Sequence, residues 1–400
     1  MLARPRGHTL VGADPVLVVR DEAVWAALRH PSRAPSDALS AMAGGWVALL
    51  SYEFAGTLER LPEPVPYPAG PPRALAARYP TVAVIDARGR GAVVSVDDER
   101  AAARLADLAA PAGGVRRSAS PPLTGRAPDP CPVSSSLPGA AYPAAVERAR
   151  EWIRAGDCYQ VNLAQRLAVP WNRHPVELAR ALWSASGEPA HRAYLALEEG
   201  TVVSASPELL LRVADGVAET APIKGTAPAG SWESLAHSAK DRAEHVMIVD
   251  LMRNDLARCA APDGVRVDEL FAHLSTPYVE HMVSRVSARL ADDAGPMDAL
   301  RAVFPGGSVT GCPKIRSMEA IRELEPVARG PAFGSVLTLG ADGHLEASVA
   351  IRTAWVTDAE AHYWCGGAVT WDSDPRREHA EAWAKAAPFL AATGAREPAR

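Results

Sequence analysis

The chain has 400 residues, of which 48% are apolar and 22% are charged, and its formal net charge at pH 7 is −5. A chain of this length and apolar content can bury a substantial core, so the composition predicts a globular protein rather than a disordered one. It lacks the surplus of Lys and Arg that binds phosphate backbones, which argues against a nucleic-acid-binding protein and favours a small-molecule partner.

Two further features predict a cytoplasmic protein without membrane contact. No apolar run approaches the roughly 18 residues of a membrane-spanning helix, and the first residues lack the apolar block of a secretory signal. The cysteines are an odd number, lie far apart and show no CxxC spacing, so we expect free thiols: Cys131, Cys158, Cys259, Cys312 and Cys365.

The chain divides into three regions by composition. Residues 1–109 alternate short apolar runs, such as WVALL (46–50) and TVAVID (81–86), with turn residues and then show the helical spacing of ERAAARLADLA. We expect an N-terminal α+β region that packs on the rest of the chain. Residues 110–140 are rich in Pro, Gly and Ser and predict an exposed connector.

Residues 141–400 are predicted to form the main domain. The region opens with a helix that stops at Gly156, followed by a strand from Cys158 onward. Strands such as TVVSAS and ASVAIRTAWV then mix with helices such as DRAEHVMIVDLMRNDLARC and REHAEAWAKAAPFL, without the alternation of a doubly wound sheet. The predicted fold class is α+β with largely antiparallel strands.

Two helical segments each carry a pair of acids three residues apart. Asp241 and Glu244 lie in KDRAEH, and Glu378 and Glu381 lie in RREHAEAW. Positions i and i+3 share one helix face, so two such faces together would make an all-oxygen site for a hard cation such as Mg2+. Taken alone, each pair is also explained by a solvated helix surface.

Other polar residues stand beside apolar runs or glycine turns. Glu208 precedes a buried-looking run, where desolvation would raise its pKa and suit it to proton transfer. The glycines of FPGGSVTGCPK (304–314) let backbone amides approach an anion beside Ser308. His281 lies in a strand-like alternation, and Arg352, with strand neighbours, would need a carboxylate if it points inward. Each has an ordinary alternative: a helical N-terminal acid, a plain turn, a core or surface histidine, or an exposed edge-strand arginine.

Lys224 occupies an unusual position in APIKGT. Pro222 and Gly225 restrict the backbone on both sides, so we expect the lysine to point toward the interior or into a cleft.

These motifs form one co-linear series over roughly residues 145–390: SPE, PIKGT, KDRAEHVMIVDLMRNDLAR, YVEHMVS, FPGGSVTGCPKIRSMEAI, AIRT, GG and SDPxxExxE. The series resembles the chorismate-utilising enzymes, which include anthranilate, aminodeoxychorismate, isochorismate and salicylate synthases. The resemblance implies an anthranilate-synthase-like fold of two packed, largely antiparallel sheets with surrounding helices. It also implies a Mg2+-dependent chorismate site between the sheets and makes residues 141–400 the catalytic domain.

The resemblance also implies roles for individual residues. Glu208 matches a general acid/base, and His281 matches a histidine beside the departing C4 hydroxyl. The residues that match the metal site are Glu244 and Glu381 as ligands, with Asp241 and Glu378 as partners acting mostly through water. The residues that match substrate contacts are Arg352, Ser308, Thr226, Gly366, Gly367, Lys385 and Gln160.

Two positions indicate the branch of the family. Isochorismate and salicylate synthases carry a water-activating lysine where this chain has Gln160, which disfavours water addition. Lys224 lies in PIKGT, which resembles the aminodeoxychorismate synthases rather than the PIAGT of anthranilate synthases. The resemblance implies that Lys224 adds at ring C2 as the C4 hydroxyl leaves, and that ammonia then enters at C4. The product would be 4-amino-4-deoxychorismate, the precursor of 4-aminobenzoate.

The predicted protein partners follow from a motif that this sequence lacks. No GxCxGxQ turn of a glutamine amidotransferase occurs, so we expect ammonia from a separate amidotransferase subunit and a separate aminodeoxychorismate lyase downstream. The positions that depart from the family pattern are Ala332, Leu337, Thr338 and Ala368. Three interpretations stay open: anthranilate synthase component I, a copy that serves a 4-aminobenzoate-derived secondary metabolite rather than folate, and a non-catalytic paralogue that binds chorismate or an amidotransferase.

Overall fold

The structure is a computed structural model that describes residues 2–3, 9–29, 43–65, 67, 70–85, 91–95, 103, 131–228, 230–275 and 279–397. The strands are β1 Leu2–Ala3, β2 Thr9–Val11, β3 Leu17–Arg20, β4 Gly45–Leu50, β5 Ala74–Tyr79, β6 Thr81–Ile85, β7 Gly91–Ser95, β8 Ser134–Ser135, β9 Gln160–Pro170, β10 His191–Ala196, β11 Thr201–Ser206, β12 Leu209–Ala214, β13 Val217–Ala221, β14 Ile223–Pro228, β15 Ala260–Ser275, β16 Val279–Leu290, β17 Gly311–Cys312, β18 Ser335–Leu339, β19 Leu345–Val349, β20 Thr353–Val356 and β21 Glu360–Val369. The helices are α1 Ala23–Leu28, α2 Ala141–Ala155, α3 Pro175–Ala185, α4 Trp232–Ala236, α5 Ala239–Ala257, α6 Pro296–Val303, α7 Gly307–Thr310, α8 Lys314–Leu324 and α9 Pro375–Thr393, with a 3-10 helix at Tyr52–Thr57.

The strands form two large sheets. The first has the order β17-β9-β21-β20-β11-β10-β1-β2-β6-β7, with β8 also paired to β9, and the second has the order β14-β16-β13-β12-β19-β18-β4-β5-β3, with β15 also paired to β16. The pairings between these strands are antiparallel. The predicted α+β class with two largely antiparallel sheets is therefore confirmed.

N-terminal strands extend both sheets. Leu2 in β1 pairs with Tyr194 in β10 of the first sheet, and Leu50 in β4 pairs with Ser335 in β18 of the second. The division of the chain at residues 109 and 140 stays a prediction. Residues 104–130 lie outside the described residues, and of the helix predicted over 99–109 only Ala103 is described.

The main apolar core is shared by the two sheets, and helices cover the outer face of the first sheet. Side chains from both sheets share one buried cluster, including Ala164 and Trp364 from the first and Leu211 and Val336 from the second. On the outer side of the first sheet, Phe389 of α9 stacks on Tyr363 of β21 with the ring centroids 4.7 Å apart. Within the described chain, no helix is both long and apolar enough to cross a membrane.

Caps determine where the two acid-bearing helices begin. The Ser238 hydroxyl accepts a hydrogen bond from the backbone N–H of Asp241 at the start of α5. The Asp374 carboxylate accepts from the backbone N–H groups of Arg376 and Arg377 at the start of α9. Side-chain caps of this kind satisfy donors that the first helical turn leaves free. They place one acid pair in the first two turns of each helix.

Among the local predictions, one helix end and one strand are confirmed and one strand is wrong. The helix α2 stops at Gly156, whose φ of 85° is a left-handed conformation that favours glycine. The strand predicted from Cys158 begins at Gln160. The single strand predicted around Arg352 is wrong, because the chain turns between β19 and β20 and Arg352 has a φ of 51°. All five cysteines are free thiols, as expected.

Candidate active site

The side chain of Lys224, in β14, reaches the segment that contains Ser308. Its Nζ donates a hydrogen bond to the main-chain carbonyl of Ser308 at 3.3 Å. Burial lowers the pKa of Lys224, and the nearby Lys385 cation lowers it further, whereas Glu208, Glu244 and Glu381 favour the charged amine. The net lowering increases the fraction of neutral amine, which is the nucleophilic form.

The glycine after Lys224 is required by its backbone and its neighbours. Gly225 has a φ of 73°, and a Cβ atom at this position would lie 2.8 Å from the Leu235 Cδ1. Both conditions favour glycine, which lets this irregular point of β14 approach Leu235 of α4 closely.

Glu208 lies in the short link between β11 and β12 and is 4% exposed. Burial raises the pKa of Glu208 to about 7, although a side-chain hydrogen bond from Ser308 and the Lys224 and Arg352 cations lower it. A carboxyl group with this pKa is partly protonated at neutral pH and can both donate and accept a proton.

His281 lies in β16, where its backbone pairs with that of Thr226 in β14. Burial and, to a smaller extent, the Arg352 cation lower the pKa of His281 to about 4, against the opposing effect of a backbone hydrogen bond at Gly225. The imidazole is therefore neutral at neutral pH, and it can serve as a hydrogen-bonding group rather than as a cation.

The first acid pair lies on α5. Burial raises the pKa of Glu244, and the carboxylates of Asp241 and Glu381 raise it further, while Lys224 and Lys240 lower it. The ammonium of Lys240 is 3.8 Å from the Glu244 Oε1. Glu381 belongs to α9, so the negative charge of the second acid-bearing helix contributes to the pKa of Glu244 on the first.

The second acid pair lies on α9 beside the glycines of β21. The buried Glu378 accepts a hydrogen bond from the Ser373 hydroxyl at 2.7 Å. The half-exposed Glu381 pairs with Lys385 at 2.8 Å, and Lys385 lowers the pKa of Glu381. A Cβ atom on Gly367 would lie 3.3 Å from the Glu378 Oε2 and 3.6 Å from the Glu381 Oε1. Glycine thus leaves room for both carboxylates to face this point.

The donor set fits a hard divalent cation. It consists of carboxylates from two helices, and Mg2+ prefers oxygen ligands together with water. Burial raises the pKa of Glu378, as it does that of Glu244, and the neighbouring Glu381 adds to both shifts. A dication would offset that accumulation of negative charge. In the described part of the chain, no three Asp, Glu, His or Cys side chains are already grouped as a metal site.

Two of the remaining predicted substrate contacts have described surroundings. Lys385 donates to the main-chain carbonyl of Gly366 at 3.0 Å. Gln160 at the start of β9 is fully buried, and neither atom of its side-chain amide has a hydrogen-bond partner among the described residues. Buried amides are normally paired, so these atoms are available to a ligand. The Thr226 side chain lies outside the described residues, and the individual roles of the site residues stay predictions.

A buried arginine next to the segment of Ser308 was not predicted from the sequence. Arg329 is 1% exposed and lies between the rings of Tyr52 and Phe333, each centred 4.5 Å from the guanidinium carbon. Its guanidinium donates to Glu325, to the Val309 carbonyl at 2.8 Å and to the Asn162 carbonyl at 2.6 Å. In the sequence EPVARGPAF, Glu325 and Phe333 each lie four residues from Arg329. Arginine is well suited to buried ion pairs and stacks on aromatic rings, so this stretch contained a signal for the arrangement.

Comparison with known proteins agrees with this architecture. The sequence matches the family of chorismate binding enzymes over residues 8–391. Over an alignment of 408 residues it is 39% identical to anthranilate synthase component 1 of Thermus thermophilus, covering 96% of this chain and 84% of that protein. It is 37% identical over 353 residues to aminodeoxychorismate synthase component 1 of Klebsiella aerogenes, covering 86% and 75% of the two chains.

A solved structure shows the same fold. The crystal structure of anthranilate synthase component I from Streptococcus pneumoniae TIGR4 has a TM-score of 0.84 and 26% identity, over 97% of this chain and 92% of that chain. The predicted family is confirmed. The protein belongs to the chorismate binding enzymes.

Proposed function

We propose that this chorismate-utilising enzyme is the component I of an aminodeoxychorismate synthase. It would aminate chorismate at ring C4 and release 4-amino-4-deoxychorismate. The observation that carries this proposal is Lys224, which lies in the site with its amine against a neutral carbonyl and with a lowered pKa. A nucleophilic amine at this point supports chemistry in which the enzyme adds to the ring before ammonia does.

The reaction proceeds in two displacements. The lone pair of the neutral Lys224 amine forms a bond to ring C2, the two ring double bonds shift, and the C4–O bond breaks. The protonated form of Glu208 supplies the proton with which the hydroxyl leaves as water. Ammonia then forms a bond to C4, the double bonds shift back, and the C2–N bond breaks to release the lysine as a neutral amine. The proton that the new C4 ammonium loses returns to the Glu208 carboxylate. The sum is chorismate plus ammonia giving 4-amino-4-deoxychorismate plus water.

The other site residues bind and orient the substrate. Arg352 and the backbone around Gly366 and Gly367 would hold the enolpyruvyl carboxylate, and the neutral His281 would hydrogen-bond the departing hydroxyl. Mg2+, when bound, would supply positive charge to the ring carboxylate. Glu244 and Glu381 would hold the ion, with Asp241 and Glu378 acting through water.

Ammonia would come from a separate glutamine amidotransferase subunit. The two relatives described above are both named component 1, which is consistent with an enzyme of more than one subunit. A separate aminodeoxychorismate lyase would then remove pyruvate to give 4-aminobenzoate, for folate or for a secondary metabolite.

The proposal is tested with the purified chain, chorismate, Mg2+ and ammonium at mildly alkaline pH, where more of Lys224 is neutral. We expect 4-aminobenzoate by chromatography only when an aminodeoxychorismate lyase is added. The Lys224→Ala and Lys224→Arg variants should both lose this product, because Arg keeps the charge but is not a nucleophile. Formation of anthranilate instead, or full activity in the Lys224→Arg variant, would refute the proposal.

Anthranilate synthase component I is the second candidate. It is favoured by the 39% identity to the Thermus thermophilus enzyme over 96% of this chain. That activity would aminate C2 and release pyruvate without a lyase, so anthranilate fluorescence in the same assay distinguishes the two. Chorismate binding without turnover would instead indicate a non-catalytic paralogue.

A further inference from the structure

Residues 304–313 form a loop that brings Ser308 into the site. The loop leaves α6 after Val303, forms the short helix α7, pairs with β9 through β17 and ends at Lys314, the first residue of α8. Ser308 contacts both groups of the proposed chemistry, since its carbonyl accepts from Lys224 and its side chain hydrogen-bonds Glu208. The position of this loop therefore controls two reacting groups at once.

A buried ion pair closes the base of the loop. The Lys314 Nζ donates to the Asp255 Oδ2 at 2.6 Å and to the Val303 carbonyl at 3.2 Å. One ammonium thus joins the residue before the loop, the residue after it, and the helix α5. Both side chains are largely buried, with 11% of Lys314 and 9% of Asp255 exposed.

The loop also packs tightly on the same helix. A Cβ atom on Gly307 would lie 2.5 Å from the Leu251 Cδ2 and 2.8 Å from the Met252 Cε, so glycine permits this close approach. Asp255 follows Met252 by three residues and therefore lies one turn farther along this face of α5. The packing contact and the ion pair are successive points along one helix.

The other end of α5 carries Asp241 and Glu244, the proposed metal-site acids. Glu244, Ile248, Met252 and Asp255 follow at intervals of four, four and three residues and so lie along one helix face. The helix therefore connects the acids rigidly to the base of the loop.

We propose that Asp255 and Lys314 are a positioning pair for catalysis. Their ion pair fixes the distance between Ser308 and the carboxylates on α5. Because Ser308 contacts Lys224 and Glu208, the ion pair also fixes the distance from these two groups to the carboxylates. Neither residue needs to touch the substrate. The inference rests on the proposed function for the roles of Lys224 and Glu208, but it makes a separate claim about geometry.

The decisive variant replaces both charges. Asp255→Leu with Lys314→Met leaves no unpaired buried charge, and apolar replacement of a buried ion pair commonly keeps or raises stability. We expect this double variant to keep its thermal midpoint, whereas kcat for chorismate consumption falls about 10- to 100-fold, as misplacement of reacting groups by about 1 Å can cause. The pH profile of kcat should also shift, because the contact of Ser308 with Glu208 changes.

The matched control lies on the same helix. Asp250 pairs with Arg253 at 2.9 Å on the exposed side of α5, and Asp250→Asn should leave kcat and the pH profile unchanged. The single variant Lys314→Met should lose both stability and rate, since Asp255 remains buried and unpaired. A stable double variant with wild-type kcat and pH profile would overturn the inference.

The measurement separates this inference from the proposed function. Chorismate consumption is followed directly, so the comparison of variants holds whichever aminated product forms. Anthranilate as the product would refute the proposed function, and an unchanged double variant would refute only the positioning role.

Discussion

The main-chain carbonyl of Ser308 accepts a hydrogen bond from the Lys224 Nζ at 3.3 Å. The acceptor is neutral, so it orients the amine without the strong preference for the ammonium form that a carboxylate partner would impose. The hydroxyl of the same residue faces Glu208 and lowers its pKa against the effect of burial. One buried serine thus connects the proposed nucleophile with the proposed general acid.

The Ser308→Ala variant separates these two contacts. It keeps the carbonyl for Lys224 but removes the hydroxyl that lowers the pKa of Glu208. We therefore expect the pKa of Glu208 to rise further above about 7, and the corresponding limb of the kcat/KM profile to move to higher pH. The rate should fall about tenfold, as for a misaligned general acid. If this limb of the pH profile does not move, the Ser308 hydroxyl does not hydrogen-bond Glu208.

The buried Glu208 should make the folded state pH-sensitive. Its folded pKa of about 7 exceeds the ordinary value of 4.5, so the unfolded chain ionises first and the folded state loses stability as pH rises through this interval. Glu208→Gln cannot ionise, and should therefore be more stable than the wild type above pH 7 by up to about 3 kcal/mol.

Thermal unfolding of the wild type and of the Glu208→Gln variant across the pH range, without added divalent cation, checks the sign of this stability difference. The difference in midpoint should be largest at alkaline pH and should disappear as pH falls toward 4.5. A difference that is constant with pH would show that the substitution acts through packing alone.

The acid pairs predict a specific pattern of Mg2+ dependence. Glu244→Gln removes a proposed ligand, and Glu378→Gln removes a partner expected to act through water. Loss of such a partner typically weakens metal binding about 10- to 100-fold, and loss of the ligand should cost at least as much. Calorimetric titration with Mg2+ measures the affinity of both variants without relying on turnover. The exposed Glu323, outside the site on α8, provides the control Glu323→Gln, whose Mg2+ affinity should equal that of the wild type.

The buried Arg329 should be important for stability. Its guanidinium pairs with Glu325 at 2.6 Å, and the two side chains are 1% and 4% exposed. Arg329→Met would leave the Glu325 carboxylate buried without its cation, so we expect a loss of about 3–5 kcal/mol in the free energy of unfolding. Denaturant titration measures this free energy of unfolding. The exposed pair Arg148–Glu151 offers the comparison Arg148→Met, which should cost less than about 1 kcal/mol. Equal losses in the two variants would show that burial of the pair has no effect.

Motifs of short range identified the family, and they also supplied the candidate residues of the site. The acids at 241, 244, 378 and 381 share helix faces because helical spacing is local, and their caps at Ser238 and Asp374 are equally local. The antiparallel class was also predictable, since strand and helix segments did not alternate. The turn at Arg352 was not, because its backbone depends on how β19 and β20 enter different sheets.

The sequence by itself determined which chemical groups the protein carries and the family to which it belongs. Only the tertiary structure decided their state: the pKa of Glu208 near 7, the contact between Lys224 and a carbonyl 84 residues away, and the buried ion pairs of Lys314 and Arg329. The physical reason is that desolvation and ion pairing depend on which distant segments exclude water from a group. Local spacing carries no information about that exclusion until both sheets have packed.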